Sequence, residues 1–188
     1  MYIIYVLLLN CFPVNLKYGD RKNYFYAGET LMGKILVSAC LAGVRCKYSG
    51  GHNLVPVIAE LVRQGKAVPV CPESLGGLTI PRPPAEIKGG DGYDVLAGRA
   101  RVMDKEGRDV TAAFIQGARA ALARAREVGP EIIVLKERSP SCGSKLIYDG
   151  NFSGATRPGP GVTTALLREY GYKVISEEEF KGEGNPSP

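Results

Sequence analysis

Short apolar runs rich in Val, Ile and Leu alternate along this chain with segments that repeat apolar residues at helical spacing. The apolar runs predict strands at 34–39, 67–70, 131–136 and 172–176. The periodic segments predict helices at 54–64, 112–128 and 162–169. Strands that alternate with helices are typical of parallel sheets. We therefore expect a single-domain, Rossmann-like α/β fold, with a largely parallel sheet flanked by helices on both faces.

Turn residues and caps complete this prediction. Residues 100–103 and 108–110 flank a Gly-containing turn and predict a β-hairpin. Asn53 and Thr111 are good N-caps for the first two helices. Gly and Pro are concentrated in two segments that we expect to form irregular loops, at 72–92 and 148–161. A loop as long as the first of these is usually functional in a compact domain.

Residues 1–31 differ in character from the rest of the chain, because half of its ten tyrosines lie there. Met32 directly precedes the first predicted strand and is a natural start for a domain. We expect 1–31 to be an extension that is either untranslated or flexible, 32–178 to form the α/β domain, and 179–188 to be a flexible tail. The alternative is that 1–31 forms a genuine strand or lid.

Composition and charge narrow the classes of function. A net charge of +5, without a run of Lys or Arg, suits an anionic small molecule better than a nucleic-acid surface, so RNA is possible but not favoured. The apolar start of the chain is too short to cross a bilayer, and no secretory signal is present. With an odd number of cysteines, we expect a cytoplasmic protein with reduced thiols. The oligomeric state is not indicated.

Three cysteines lie at the ends of predicted strands. Cys40 follows the first strand, Cys71 follows the second, and Cys142 lies in the loop after the third. Because the carboxyl ends of parallel strands meet at one edge of a sheet, and ligands bind beyond that edge, these thiols are expected to converge there.

Converging thiols are open to several interpretations. Buried core cysteines are common, but each of these three lies in a Gly- or Pro-rich loop. Zinc would need a fourth thiol from Cys46, since His52 is the only histidine. A nucleophilic cysteine would need a base, and Glu73 is the obvious one. An iron–sulfur cluster fits thiolate ligands and the Cys71-Pro72 pair, and it is the interpretation that we favour.

Longer motifs resemble a known family. The segments SACLAGVRCKYSGG, VPVCPESLGGLTIPRPPAEIKGGDG, VLKERSPSCGSKLIYDGNFSG and GVTTALLREYG are similar to the thiouracil desulfidase (TudS-like) family, over about residues 32–178. This resemblance implies a [4Fe–4S] cluster held by Cys40, Cys71 and Cys142, with the fourth iron open to the sulfur of a thiocarbonyl base. It also implies the release of sulfide, without net redox change, from 4-thiouracil, 4-thiouridine or its nucleotide.

The same resemblance implies roles for further residues. Glu73 and a serine of the SPSCG motif would be the catalytic acid–base residues, and the choice between Ser139 and Ser141 stays open. Cys46 is implied to be a spare thiol. From the residue types, Arg82 is a candidate for holding an anionic group of the substrate, and Tyr48 for stacking on a pyrimidine. Four charged residues are expected to form ion pairs around the site: Glu86, Lys136, Glu137 and Arg138.

Two alternatives of a different class remain beside this enzyme. An all-cysteine zinc module would stabilise the fold or a surface for a partner, and a sulfur carrier would deliver sulfide without catalysing its release. A metal analysis of protein handled without oxygen distinguishes the zinc module from an iron–sulfur enzyme.

Overall fold

The computed structural model describes residues 34–180. In chain order the elements are β1 (Ile35–Ser38), α1 (Pro56–Arg63), β2 (Ala67–Val70), α2 (Pro72–Leu75), β3 (Ala85–Lys88), α3 (Gly92–Leu96), β4 (Arg101–Asp104), α4 (Thr111–Val128), β5 (Ile132–Leu135), β6 (Leu146–Tyr148), β7 (Thr156–Pro158), α5 (Val162–Glu169) and β8 (Val174–Ser176). The interpretations of residues 1–31 and of the predicted tail from 181 to 188 lie outside the described residues.

A four-stranded parallel sheet, in the order β2-β1-β5-β8, lies at the centre of this part of the chain. In the register of the sheet, Leu36 of β1 lies between Val68 of β2 and Ile133 of β5. The predicted strands and their parallel direction are therefore confirmed. Their continuous apolar sequences are explained by burial on both faces, which removes the alternation of polar and apolar residues.

Successive residues of β1 point to opposite faces of the sheet, and each face has its own core. Leu36 belongs to a cluster with Ala121 and Leu122 of α4 and with Leu167 of α5. Val37 belongs to a second cluster, which includes Ile58 of α1. Helices thus cover both faces, as the alternating pattern predicts. Burial of a Leu or Ile side chain of this kind contributes about 1.5–3 kcal/mol.

Two antiparallel pairs, β3 with β4 and β6 with β7, lie outside the central sheet. The prediction of irregular loops at 72–92 and 148–161 is therefore wrong in part. β3 was hidden because its core positions hold only one large apolar side chain, Ile87, beside the buried carboxylate of Glu86. The β6–β7 pair is only three residues long on each side, too short for a recognisable pattern.

The predicted hairpin and caps also need correction. The turn after β4 is present, but its return segment makes only a single bridge, from Met103 to Asp109, because β4 pairs mainly with β3. The helix predicted from Asn53 begins at Pro56, after Val55. Thr111 is the first residue of α4 rather than its cap, and its hydroxyl accepts the Val102 N–H at 2.9 Å.

The chain after β8 remains attached to the domain. Glu177 accepts hydrogen bonds from the Lys136 ammonium and the Glu137 N–H, at 2.5 and 2.7 Å. Glu179 bonds to Ser176, and Phe180 packs against the core on the α1 face. The first two residues of the predicted flexible tail are therefore held in place. Within residues 34–180, no helix is long and apolar enough to span a membrane.

Candidate functional site

A cavity of about 460 Å³ lies beyond the carboxyl ends of β1, β2 and β5. Its lining includes the three cysteines that the sequence places at strand ends, Cys40, Cys71 and Cys142, together with Cys46. The structure thus brings together thiols that are far apart in the sequence. The cause is topological, because the strands that precede them are adjacent and parallel.

The segment that carries Cys71 is fixed against α4 by a close backbone contact. Cys71 precedes the short helix α2, and a Cβ atom on Gly117 of α4 would lie only 2.1 Å from the carbonyl oxygen of Pro72. Only glycine permits this approach. The position of the Cys71 thiol is therefore set by packing of two backbones.

The segment that carries Cys142 is fixed against the start of α5. The Thr164 hydroxyl donates to the Cys142 carbonyl at 2.8 Å, and the Val162 N–H donates to the Pro140 carbonyl at 2.9 Å. A Cβ atom on Gly161 would lie 2.5 Å from the backbone of Ser141. Because the loop carbonyls satisfy N–H groups of the first turn of α5, loop and helix stabilise each other.

Cys46 connects two of the predicted ligands. The Cys71 thiol donates to the Cys46 carbonyl at 3.9 Å. Side-chain hydrogen bonding with Cys46 lowers the pKa of both Cys40 and Cys71, against the opposing effect of burial. The pKa of Cys71 falls to about 6, with a further contribution from Ser74. The same side-chain hydrogen bonding raises the pKa of Cys46, and burial raises that of Cys142. Cys40 and Cys71 are thus the thiols most easily converted to thiolates, the form that binds metals.

The side chains that line the cavity can be compared with the ligands of two kinds of metal centre. Among residues 34–180, no group of three or more His, Cys, Asp or Glu side chains is arranged to hold a single metal ion. A zinc site requires four ligands within about 2.0–2.3 Å of one ion. The cavity lining offers four thiols, and thiolates are the ligands that hold iron–sulfur clusters. The donor chemistry of this cavity therefore suits an iron–sulfur cluster.

Glu73 and Arg82 form a partly buried ion pair on the cavity wall. Nε and Nη2 of Arg82 both donate to Oε2 of Glu73, at 2.9 and 2.6 Å. Further donors of Arg82 bond to the carbonyl oxygens of Thr79 and Cys46. Oε1 of Glu73 has no hydrogen-bond partner within the described chain. These contacts orient Glu73 and leave Arg82 little capacity to hold a substrate group.

The two serines of the SPSCG motif have different surroundings. Ser139 lines the cavity, and its hydroxyl oxygen accepts hydrogen bonds from the N–H groups of Ser141 and Cys142, at 3.2 and 3.0 Å. With its oxygen occupied by these donors, the Ser139 hydroxyl can donate its own proton into the cavity. Ser141 is fully buried, does not line the cavity, and bonds to the Thr163 hydroxyl at 2.8 Å.

The charged residues expected to pair around the site divide into two groups. Lys136 pairs with Glu177 at 2.5 Å, and Arg138 pairs with Glu178. Glu86 and Glu137 are buried carboxylates that accept hydrogen bonds from backbone N–H groups. Neither forms an ion pair within residues 34–180.

Aromatic side chains form another part of the lining. Tyr48, predicted from the sequence, lines the cavity and is 47% exposed. Tyr148 and Phe152 also line it, and sequence reasoning missed both. The Gly content of their segment predicts an irregular loop, and the aromatic residues within it are the only sequence signal for a site.

Fold and cavity together define a class, that of small α/β proteins with a thiol-lined cavity at the carboxyl edge of a parallel sheet. Residues 35–179 match the family model described as 2-thiouracil desulfurase. The chain belongs to this family, which confirms the resemblance seen in the sequence motifs.

Two individual proteins illustrate the relationship. The chain is 52% identical over 146 residues to the uncharacterized protein YbbK of Bacillus subtilis (strain 168), which covers 78% of this chain and 97% of the relative. It also matches the solved structure of TudS, described as a [4Fe–4S]-dependent thiouracil desulfidase. The TM-score is 0.69 and the identity 43%, over 78% of this chain and 92% of the other. The predicted fold class is confirmed by this match.

Proposed function

We propose that this protein is a desulfidase that removes sulfur, as sulfide, from a thiolated pyrimidine by hydrolysis without net redox change. The substrate is 4-thiouracil, 4-thiouridine or its nucleotide. The observation that carries the proposal is the convergence of Cys40, Cys71 and Cys142 with Glu73 and Ser139 around one cavity. Membership of the desulfurase family and the likeness to a thiouracil desulfidase support it.

Cys40, Cys71 and Cys142 would hold a [4Fe–4S] cluster. When bound, a cluster with three protein ligands supplies an iron with an open position, a Lewis acid for the thiocarbonyl sulfur. The low pKa of Cys71 favours the thiolate that such ligation needs. Cys46, whose carbonyl accepts the Cys71 thiol and whose own pKa is raised by its neighbours Cys40 and Cys71, is left as a supporting thiol rather than a ligand.

Glu73 would act as the general base. Its Oε2 is held by Arg82, while Oε1 is free to take the proton of a water molecule that attacks the carbon bearing the sulfur. General-base assistance of this kind accelerates a reaction by roughly 10²–10⁴-fold. Arg82 is assigned the task of positioning this carboxylate, in place of the substrate-binding role predicted from the sequence.

Ser139 would supply a proton. Its oxygen already accepts two backbone N–H groups, so its hydroxyl proton is directed to a partner in the cavity, such as the ring carbonyl of a pyrimidine or the departing sulfur. Ser141 lies outside the cavity lining and bonds to Thr163. Of the two candidates we therefore assign the catalytic role to Ser139.

The cavity volume of about 460 Å³ suits a small molecule, because ligand pockets typically measure about 300–1,000 Å³. Lys47 and Lys105 line it and have no ion-pair partner within residues 34–180, which is compatible with an anionic nucleotide as well as a free base. RNA is not favoured.

We place the reaction in the cytoplasm, where thiols stay reduced, and assign it to the domain at 32–178. N-terminal sequencing of the native protein tests whether residues 1–31 are translated.

The experiment is a sulfide-release assay on protein purified without oxygen, with 2-thiouracil, 4-thiouracil and 4-thiouridine offered in parallel. We expect catalytic release of sulfide together with the matching oxygenated pyrimidine. Replacing Cys71 by Ala should remove both iron and activity, whereas Glu73→Gln should retain iron and lose activity. Release of no more than one sulfide per chain would instead indicate a sulfur carrier, and Glu73→Gln with full activity would remove the base assignment.

A further inference from the structure

Two residues other than glycine adopt the left-handed backbone conformation among residues 34–180, and both line the cavity. These are Arg138, with φ 57°, and Phe152, with φ 54°. A side chain with a Cβ atom pays a conformational penalty in this region that glycine avoids. Non-glycine residues held in such conformations concentrate at functional sites, because surrounding contacts are needed to hold them there. Phe152 is the more informative of the two, since bulky aromatic residues are rare in this conformation.

A buried carboxylate holds Phe152 in place. Oε2 of Glu86, a residue of β3 that is 7% exposed, accepts the N–H groups of Gly150 and Phe152 at 2.9 and 3.0 Å. Asp149 organises the same turn by accepting the Asn151 N–H at 2.9 Å. Because charge-assisted hydrogen bonds are the stronger kind, the Glu86 carboxylate can stabilise a turn that its sequence alone would disfavour.

The ring of Phe152 has no packing role that would explain the conformational penalty of its left-handed backbone. Phe114 is fully buried in a hydrophobic cluster, and Phe180 packs against another. Phe152 belongs to none of the hydrophobic clusters of the described residues, is half-buried, and lines the cavity, as Tyr148 does. Tyr48, the aromatic residue predicted from the sequence, is 47% exposed and therefore less enclosed.

We infer that Phe152 is the surface on which the heteroaromatic ring of the substrate stacks, and that Glu86 is a positioning residue that fixes Phe152 in its left-handed conformation. This inference rests on the proposed function, because it names the part of the cavity that recognises a pyrimidine ring. Stacking on an aromatic side chain tolerates different substituents, so the same surface serves a free base or a nucleoside.

Equilibrium binding of uracil to the cluster-loaded protein tests the stacking, because uracil has no sulfur and is not consumed. Phe152→Ala should weaken binding by about 5- to 150-fold, the range of one base–aromatic contact. Phe152→Tyr should bind within about threefold of wild type, while Phe152→Leu should resemble Phe152→Ala. The matched control is Tyr93→Ala, which removes an exposed aromatic residue outside the cavity. Equal binding by wild type and Phe152→Ala, or by the Leu and Tyr variants, overturns the assignment.

Two further comparisons test the positioning role of Glu86. Phe152→Gly should melt at a higher temperature than Phe152→Ala, because glycine adopts the left-handed conformation freely; the reverse order overturns the claim that the turn is strained. Glu86→Gln, which keeps an acceptor oxygen, should retain uracil binding, whereas Glu86→Ala should lose as much as Phe152→Ala. The double variant Glu86→Ala/Phe152→Ala should bind no more weakly than either single variant. If the losses of uracil-binding free energy in the two single variants add up in the double variant, the positioning role is overturned.

The outcomes separate this inference from the proposed function. If wild type releases sulfide and the Phe152 variants keep their KM, the inference fails and the proposed function stands. If wild type releases no sulfide from any thiopyrimidine, the proposed function fails, whatever the binding of uracil. Should Glu86→Ala not fold, the binding series still decides whether Phe152 is the stacking surface. The melting order of Phe152→Gly and Phe152→Ala still decides whether the turn is strained.

Discussion

Glu137 makes the densest set of hydrogen bonds at the cavity, and its replacement by Gln is the sharpest test of how the Cys142 loop is held. The carboxylate is 3% exposed and accepts the N–H groups of Ser144, Lys145 and Leu146 at 3.0, 3.1 and 2.9 Å, all on Oε1. Oε2 accepts the Ser144 hydroxyl at 2.7 Å. The bonds close the segment that contains Cys142 back onto the end of β5.

The free energy of unfolding that Glu137→Gln should lose follows from the change in the type of hydrogen bond. In Glu137→Gln the amide oxygen can keep the backbone bonds, but they become neutral rather than charge-assisted. Bonds to charged groups contribute about 1.5–3 kcal/mol and neutral ones about 0.5–1.5, so the bonds from the N–H groups of Ser144, Lys145 and Leu146 together lose about 3 kcal/mol. With a urea m-value of about 1–3 kcal/mol/M, the unfolding midpoint should fall by about 1–3 M.

The stability that Glu137→Gln loses should depend on pH in one direction. Burial raises the pKa of Glu137, but hydrogen bonds from Ser144, Leu146 and Lys145 outweigh it and hold the pKa below its usual value. A carboxylate with a lowered folded pKa stabilises the protein fully above its unfolded pKa of about 4.3, and the contribution is lost as the pH falls through the folded pKa. The difference between wild type and Glu137→Gln should therefore be largest near neutrality and shrink in acid.

Urea unfolding of wild type and Glu137→Gln, at pH 7 and in steps below pH 5, measures both the loss of stability and its dependence on pH. Glu127→Gln is the matched control, because Glu127 is 65% exposed and pairs only with Arg124 on the surface of α4. It should change the free energy of unfolding by less than about 0.5 kcal/mol. Equal midpoints for wild type and Glu137→Gln at pH 7, or a difference that grows in acid, would refute the reasoning.

Three further outcomes are expected. Gly117→Ala places a Cβ atom 2.1 Å from a carbonyl oxygen of α2 and should lower stability by about 1–3 kcal/mol and reduce iron content, measured by thermal melting and iron analysis. Ser139→Ala should lower kcat by about 10²–10⁴-fold, whereas Ser141→Ala should lose about 1 kcal/mol of stability and keep kcat; the opposite pattern would reassign the serine. In iron-free protein, alkylation of Cys71 should be half-maximal near pH 6, and Cys46→Ala should move it to higher pH.

The central sheet could be predicted because its strands are buried on both faces. Their sequences are continuous apolar runs, and the parallel direction follows from the helices between them. The convergence of Cys40, Cys71 and Cys142 could then be predicted from their positions after three parallel strands alone. The roles implied for Glu73 and Ser139 came from family motifs, and only the structure separates Ser139, which lines the cavity, from Ser141, which does not.

The rest of the site depends on contacts between distant segments, which local patterns do not reveal. Glu86 bonds to N–H groups 64 and 66 residues further along the chain. A carboxylate at a core position weakens the strand pattern of β3, so the same residue that organises the cavity concealed the strand. Phe152 was missed for a related reason, because its left-handed conformation results from those contacts and is not favoured by its residue type.

The most direct measurement is the iron and acid-labile sulfide content of protein purified without oxygen, compared across single cysteine variants. We predict about four of each per chain in wild type and in Cys46→Ser. Cys40→Ala, Cys71→Ala and Cys142→Ala should each lose the iron. Zinc in place of iron, or a Cys46→Ser variant that loses its iron while one of the other three variants keeps it, would contradict the account.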